Sequence, residues 1–221
     1  MLFLHGYLSS KEAFLRQIAY FSRFYRVTAV DFPGFGQCGA LQEAYSVGDY
    51  ADWLYAVMQE LDIKKPHVIA HSFGCRVAVK LASRDCEIFD KILLTGPAGV
   101  ILKRGFRYRA RVWAYRRAKK LFPRWAEKNF GSAEYRGLSP VMKESYKKIV
   151  NEDLRGCARL VKNPVLIVEG KQDKTTPIAE ARAYEMCFAK ARLCEMDGGH
   201  FAFAEHPLAF NLIAEEFLYE R

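Results

Sequence analysis

The sequence lacks several features that would assign it to common classes of protein. Its six cysteines include no Cys-x-x-Cys pair and no His/Cys cluster at zinc-finger spacing, so we expect reduced thiols rather than a disulfide framework or a structural zinc site. No apolar run approaches the roughly 20 residues that span a bilayer. The first residues, Met1 to His5, lack the basic start and long apolar stretch of a secretory signal. These absences predict a cytoplasmic protein with no stable membrane insertion.

The sequence does contain enough apolar material for one sizeable core. Of its 221 residues, 51% are hydrophobic, which excludes general disorder and fits one domain of ordinary size. The net charge of +9 is concentrated in one place. Ten Lys and Arg residues and no Asp or Glu lie between residues 103 and 124, which we call the basic segment, and the other 24 basic and 25 acidic residues nearly cancel.

Short apolar runs alternate with longer amphipathic stretches, which is the pattern of a parallel sheet covered by helices. Each predicted strand is rich in Val, Ile or Leu, as expected for strands that are buried on both faces. Ser46 and Asp49 have the spacing of a capping box, and Pro207 suits the first turn of the last helix. The predicted strands are Leu2 to Leu4, Arg26 to Val30, His67 to Ala70, Lys91 to Thr95, Val165 to Glu169 and Arg192 to Met196, and the predicted helices are Lys11 to Phe21, Val47 to Leu61, Phe73 to Ser83, Ile178 to Ala189 and Pro207 to Tyr219.

One stretch, residues 100–163, interrupts this alternation. It is too long for a normal crossover, and its aromatic and aliphatic residues are interleaved with charges. Residues 135–154 continue with helical periodicity. We therefore predict a helical cap inserted over the carboxyl ends of the strands, with residues 1–99 and 164–221 forming the core.

The most informative segment is a short buried strand that runs into Ser72 and is followed at once by an amphipathic helix. A strand, a sharp turn and a helix form a nucleophile elbow, in which small residues two before and two after the serine avoid a side-chain clash. Ala70 and Gly74 occupy those positions, although the strict Gly-x-Ser-x-Gly pattern has glycine at both. Ser72 is therefore the predicted nucleophile.

A serine hydroxyl needs a base to remove its proton and a carboxylate to orient that base. His200 follows two glycines directly after the last predicted strand, where a loop can cover the carboxyl edge of the sheet. Asp173 follows the preceding strand, and we favour it over Asp197, which lies only three residues before His200. The order Ser72, Asp173, His200 is that of an α/β-hydrolase triad.

Four neighbouring groups are predicted to be structural. His71 precedes the elbow serine, so its side chain should point away from the hydroxyl. His5 is expected to brace the loop after the first strand, and Asp31 the loop after the second. Cys75 lies on the following helix and lacks the elbow position that a nucleophile needs.

Taken together, these motifs resemble the α/β-hydrolase superfamily, of the small bacterial type with a helical lid, over nearly the whole chain. His5-Gly6 after the first strand and the Asp31 to Gly36 loop after the second stand in the order and spacing of that family. The resemblance implies an α/β-hydrolase fold, with a mostly parallel sheet of about six strands and a helical cap. It also implies that the amides of Tyr7 and Phe73 form the oxyanion hole, which suits acyl transfer because negative charge then develops on a carbonyl oxygen.

The superfamily usually has two further strands before the one that ends in His-Gly. Here only residues 1–4 precede His5, so the strand near residues 26–30 is expected to be a sheet edge with unpaired backbone groups. Two expectations would account for this edge: a truncated chain, or a homodimer that covers it.

The predicted activity is that of a carboxylesterase-like serine hydrolase, which cleaves an ester or related acyl bond of a small molecule through an acyl-enzyme intermediate. No organic cofactor and no metal is implied. Four alternatives stay open: a carbon–carbon bond hydrolase of the meta-cleavage type, a cofactor-free haloperoxidase-like enzyme, an aminopeptidase of the proline iminopeptidase type, and a non-catalytic ligand-binding protein. The basic segment is either a solvated lid surface or an attractant for an anionic substrate or membrane surface. Nucleic acid is not an expected partner, because the segment has no recognised binding motif.

Overall fold

The centre of the protein, described here by a computed structural model, is one sheet of six parallel strands. The structure describes residues 1–102 and 133–219 and, between them, the isolated positions 110, 113, 117 and 121. The strands are β1 (Leu2–Leu4), β2 (Thr28–Val30), β3 (Val68–His71), β4 (Ile92–Thr95), β5 (Val165–Gly170) and β6 (Ala191–Met196). Their order across the sheet is β2-β1-β3-β4-β5-β6, so the predicted parallel sheet is confirmed.

Helices follow the strands along the chain, and buried apolar side chains form one cluster on each face of the sheet. Because side chains alternate along a strand, Leu2 and Leu4 of β1 belong to one cluster and Phe3 between them to the other. The described helices are a 3-10 helix (Lys11–Phe14), α1 (Leu15–Phe21), α2 (Val47–Glu60), α3 (Phe73–Ala82), α4 (Ala133–Gly137), α5 (Pro140–Val150), α6 (Arg155–Ala158), α7 (Ile178–Glu185), α8 (Ala202–Glu205) and α9 (Pro207–Tyr219).

The ends of these helices follow local sequence signals. Ser46 and Asp49 form the predicted capping box at the start of α2, with the Ser46 amide donating to Asp49 Oδ2 at 2.7 Å. Pro207 begins α9, as predicted. The predicted helix from Lys11 differs in its first turn, Lys11–Phe14, which is a 3-10 helix. The Lys11 amide, which has no partner inside the helix, donates to Asp31 Oδ1 at 2.7 Å.

Only part of the predicted cap, residues 100–163, lies within the described chain, where it contributes α4, α5 and α6. The predicted helical stretch 135–154 is divided at Ser139, whose hydroxyl caps α5 by accepting from the Met142 amide at 3.2 Å. Pro140 fits there because the first turn of a helix needs no amide hydrogen. Apart from positions 110, 113, 117 and 121, the basic segment lies outside the described residues, and the boundaries of the cap stay a prediction.

The end of α5 is attached to the core by two basic residues of α3. The buried guanidinium of Arg76 donates to the carbonyls of Ile149 and Glu152 at 2.9 and 2.8 Å. Lys80 Nζ lies 2.7 Å from a carboxylate oxygen of Glu152. α3, which begins directly after Ser72, therefore also holds part of the predicted cap.

β2 is an edge strand, as the sequence predicts, and pairs with β1 in parallel. No other strand of the described chain pairs with it. A homodimer that covers this edge stays a prediction.

All six cysteines are free in the structure. Within residues 1–102 and 133–219, no helix has both the length and the apolar character needed to cross a bilayer.

Candidate active site

Ser72 stands at a sharp turn between β3 and α3. Its backbone has φ 49° and ψ −104°, a conformation that a residue with a side chain adopts rarely and that is typical of functional sites. The turn is tight enough to bring the elbow against β1, since a Cβ placed on Gly74 would lie 2.3 Å from the carbonyl oxygen of Leu4. Glycine at position 74 is therefore required by the close approach of two backbones.

His200 and Asp173 meet at the carboxyl ends of β6 and β5. His200 Nδ1 lies 2.6 Å from Asp173 Oδ2. An ionised carboxylate can only accept hydrogen bonds, so the Nδ1 atom must carry the hydrogen, and Nε2 keeps a free lone pair. Asp197 does not reach the imidazole; it is exposed and pairs with Lys171 at 3.0 Å.

Asp173 is buried and held by four donors. Besides His200, the amides of Thr175 and Thr176 donate to Oδ1 at 2.7 and 3.0 Å, and the Thr176 hydroxyl donates to Oδ2 at 2.9 Å. Burial alone would raise the pKa of Asp173, but the hydrogen bonds from His200 and from these amides outweigh it and lower the pKa. The carboxylate therefore stays ionised in a buried position.

The His200 ring packs beside the elbow, over the end of β4. A Cβ placed on Gly96, the residue after β4, would lie 3.1 Å from His200 Nδ1. Both Ser72 and His200 are described, and no hydrogen bond joins the serine hydroxyl to the imidazole. Such bonds are often long without substrate and shorten in the complex. The structure thus brings the three predicted residues to one edge of the sheet and joins His200 to Asp173.

The loop after β1 lies directly against the elbow. A Cβ on Gly6 would lie 2.7 Å from His71 Nδ1 and 3.5 Å from Ser72 Cβ, so this approach needs glycine. Within the described part of the chain, neither the Tyr7 amide nor the Phe73 amide donates to another protein group. The Phe73 amide is in addition the first N–H of α3, which has no partner inside the helix. Two unpartnered N–H groups therefore belong to the segments that flank the serine.

His5 connects this loop to the loop after β2. It is completely buried, with Nδ1 2.7 Å from the Gly6 carbonyl oxygen and Nε2 accepting from the Phe32 amide at 3.0 Å. Burial lowers the pKa of His5, so the ring is neutral. Asp31 ties the second loop through the Gln37 amide at 3.0 Å and Lys11 Nζ at 2.8 Å.

The His71 side chain forms its hydrogen bond with the backbone of His200 and not with the hydroxyl of its neighbour Ser72. Its ring is buried, and Nε2 lies 2.9 Å from the backbone oxygen of His200, which fixes the hydrogen on Nε2. Burial, with the neighbouring His200 as a smaller cause, lowers the pKa of His71 to about 3. This neutral ring supports the loop that carries His200.

Two residues of the site were not singled out from the sequence. The Thr176 hydroxyl lies 2.9 Å from Asp173 Oδ2 and 3.2 Å from His200 Nδ1, so it contacts both members of the pair. Glu169 is completely buried at the end of β5. Burial and the nearby Asp173 carboxylate raise the pKa of Glu169 to about 9. The available signal for Glu169 was an ionisable residue that closes the otherwise apolar run Val165 to Val168.

An aromatic wall surrounds the side chain of Tyr7 next to the elbow. The Tyr7 ring centroid lies 4.8 Å from that of Phe35, 5.6 Å from Phe73 and 5.2 Å from Tyr146 on α5. The Tyr7 hydroxyl donates to the Met142 carbonyl at 3.2 Å. The loop after β1 is therefore packed against the cap through aromatic side chains.

A family model described as the alpha/beta hydrolase family matches residues 1–211. The chain belongs to this family. The predicted α/β-hydrolase fold is thereby confirmed, and the protein is an enzyme of the α/β-hydrolase type.

Other alpha/beta hydrolases are similar to this chain over most of its length. The AB hydrolase superfamily protein YisY of Bacillus subtilis is 24% identical, covering 98% of this chain and 90% of that protein. The enol-lactonase from Burkholderia xenovorans LB400 superposes with a TM-score of 0.77 at 23% identity, over 99% of this chain and 90% of that one. The esterase from Exiguobacterium antarcticum has a TM-score of 0.79 at 20% identity, over 99% and 91% of the two chains. At these identities the solved structures show the fold alone.

Proposed function

We propose that the protein is a carboxylesterase-like serine hydrolase that cleaves an ester or related acyl bond of a small molecule through an acyl-enzyme intermediate. The observation that carries this proposal is the 2.6 Å contact between His200 Nδ1 and Asp173 Oδ2, next to a serine at φ 49°. The ionised carboxylate fixes the imidazole in the tautomer whose free nitrogen can accept a proton. An exposed or merely structural serine would need none of this arrangement.

In the acylation step, Ser72 Oγ attacks the substrate carbonyl carbon and its proton passes to His200 Nε2. The imidazolium that forms is stabilised by Asp173, which keeps its negative charge throughout. The carbonyl oxygen becomes an oxyanion, and the amides of Tyr7 and Phe73 are the proposed donors to it. Collapse of the intermediate breaks the carbon–oxygen bond, and His200 returns the proton to the leaving alcohol.

Deacylation repeats this sequence with water in place of the serine. His200 Nε2 removes a proton from water as it attacks the acyl-enzyme, and the same two amides stabilise the second oxyanion. The proton then returns to Ser72 Oγ, which releases the carboxylic acid. No step needs a metal or an organic cofactor.

The substrate is proposed to present an apolar acyl or alcohol group to the aromatic wall around Tyr7. The basic segment adds a second proposal, that an anionic substrate is attracted by its ten positive charges. Substrate charge and acyl length are thus separate variables for experiment.

The proposal is tested by a panel of p-nitrophenyl esters of increasing acyl length beside amino-acid p-nitroanilides. We expect turnover of esters, loss of that turnover in Ser72→Ala, and retention in Ser22→Ala, a matched change at an exposed serine. Cleavage of the anilides instead would favour the aminopeptidase. No turnover of either class would contradict the esterase proposal and return the carbon–carbon hydrolase, haloperoxidase-like and non-catalytic alternatives.

A further inference from the structure

Glu169 is a buried carboxyl group with no evident counter-charge. Its side chain is completely inaccessible to solvent, and neither carboxyl oxygen has a hydrogen-bond partner of good geometry among the described residues. The Gly170 backbone favours the ionised form of Glu169, but burial outweighs it. A buried ionised carboxylate without a partner is strongly unfavourable, so such a group takes up a proton instead. Glu169 lies in a buried part of β5, since the four residues before it in the strand are all buried and apolar.

The nearest acidic group is the triad carboxylate. The Asp173 carboxyl raises the pKa of Glu169, both as a side-chain hydrogen-bond partner and through its negative charge. Two carboxyl groups can share a hydrogen bond only if one of them carries a proton. The four donors on Asp173 already stabilise its ionised form, so the proton belongs on Glu169.

The other titratable groups that face Glu169 do not change this assignment. They are Glu180 on α7 and the thiol of Cys75 on α3. Neither is a cation, so neither would favour an ionised Glu169.

We propose that Glu169 is held protonated and donates a hydrogen bond to Asp173, so that the two carboxyls carry one negative charge between them. Glu169 is then a positioning residue: it acts on His200 through Asp173 and touches no reacting atom. This proposal rests on the assignment of Asp173 as the triad acid. Because a neutral donor withdraws charge from Asp173, it also limits how strongly Asp173 stabilises a protonated His200.

Infrared difference spectroscopy at pH 7 tests the protonation state of Glu169 and needs no substrate. Exposed carboxyls are ionised at that pH, so we expect one carbonyl band of a protonated acid in the wild-type protein. The band should be absent in Glu169→Gln and retained in Glu195→Gln. Glu195 is the register partner of Glu169 on β6 but is exposed, which makes it a matched control. A wild-type spectrum without the band, or a band that survives in Glu169→Gln, would overturn the proposal.

The contact with Asp173 is tested by following the His200 Nδ1–H proton resonance through a pH titration. Gln can donate from an uncharged group as protonated Glu does, so Glu169→Gln should keep the wild-type midpoint. Glu169→Leu removes the donor, so Asp173 keeps more negative charge and the midpoint should rise. A lowered midpoint in Glu169→Gln would mean that the native carboxyl is ionised, and an unchanged midpoint in Glu169→Leu would mean that it does not act on Asp173.

The infrared band and the midpoint of the His200 resonance test the role of Glu169 separately from the proposed hydrolase function. If Glu169→Leu does not fold, the Glu169→Gln spectrum and midpoint still decide whether the native group is a neutral donor. If the band and the midpoints are as expected but no substrate is turned over, the proposed function fails and the role of Glu169 stands. If esters are turned over and the band is absent, only the Glu169 proposal fails.

Discussion

The two sides of the candidate site are built by different means. On the nucleophile side (Gly6, His71, Ser72 and Gly74), backbones approach so closely that a Cβ on Gly6 or Gly74 would come within 2.7 Å of a neighbouring atom, and the buried histidine is neutral. On the acid side (Glu169, Asp173, Thr176 and His200), hydrogen bonds to Asp173 set the geometry, and burial raises the pKa of Glu169. Close backbone packing thus positions the groups of the nucleophile side, whereas hydrogen bonds and ionisation states position those of the acid side. Substitutions on the two sides should therefore differ in their effect on pH dependence.

The largest expected effect comes from the acid side. His200→Ala removes the proposed base, and kcat on a p-nitrophenyl ester should fall by about 10⁴-fold or more. His71→Ala is the matched control, because that ring is a neutral support for the His200 loop and its loss should cost far less. Steady-state kinetics, with circular dichroism to verify folding, measures both. Equal losses would mean that the two histidines have been assigned wrongly.

The next largest effect is expected from Gly6→Ala, which changes the nucleophile side alone. Gly6→Ala places a Cβ against His71 and displaces the loop that carries the Tyr7 amide, so kcat should fall by about 10²- to 10³-fold. The pH dependence of the remaining activity should be unchanged, since no charge is altered. Gly156→Ala, where nothing lies within 4 Å of the added Cβ, is the control and should retain activity. A displaced pH profile in Gly6→Ala would break the distinction between the two sides.

A smaller effect is expected on the pH dependence of folding stability, through the buried carboxyl of Glu169. Its pKa is raised from 4.5 to about 9 in the folded protein, so the folded state keeps a proton that the unfolded state releases in that window. Wild-type stability should therefore fall as pH rises from about 4.5 to 9, by up to about 1.4 kcal/mol per pH unit. Glu169→Gln has no such proton and should be more stable at pH 7 by up to about 3 kcal/mol. Urea unfolding at pH 5 and pH 7 measures this, and parallel curves for the two proteins would contradict it.

The smallest expected effect is on kcat/KM and comes from the basic segment, which belongs to neither side of the site. With Arg107, Arg111 and Arg116 changed to Glu, kcat/KM for a carboxylated ester should fall, because long-range attraction is replaced by repulsion. The wild-type value for that substrate should also decrease with ionic strength, while a neutral short-chain ester responds to neither change. If both substrates respond alike, or neither does, the segment is a solvated surface.

The sequence predicts the nucleophile side better than the acid side, for a physical reason. Runs of apolar residues identify the strands, and local signals identify the α2 capping box and the turn at Ser72. These depend on residues within a few positions of one another. The acid side depends on contacts between separate segments, such as His200 Nδ1 with Asp173 Oδ2, 27 positions away.

Asp173 could be placed from the sequence because it lies in the loop directly after a strand, but its partners could not. The Thr176 hydroxyl contacts His200 only because β5 and β6 are neighbours in the sheet. Glu169 breaks an apolar run, and nothing in that run says that an acid already bound by four donors faces it. The raised pKa of Glu169 follows from its burial and from the nearby Asp173, neither of which is encoded in the periodicity of the sequence.

Ser72 is proposed to be an activated nucleophile, and covalent labelling is a direct test of its reactivity. A fluorophosphonate reacts with a serine only where a base has activated the hydroxyl. We expect one label per chain, located at Ser72 by peptide mass spectrometry, and no label in Ser72→Ala. Labelling that persists in Ser72→Ala, or a label mapped to any other serine of the wild-type protein, would contradict the account.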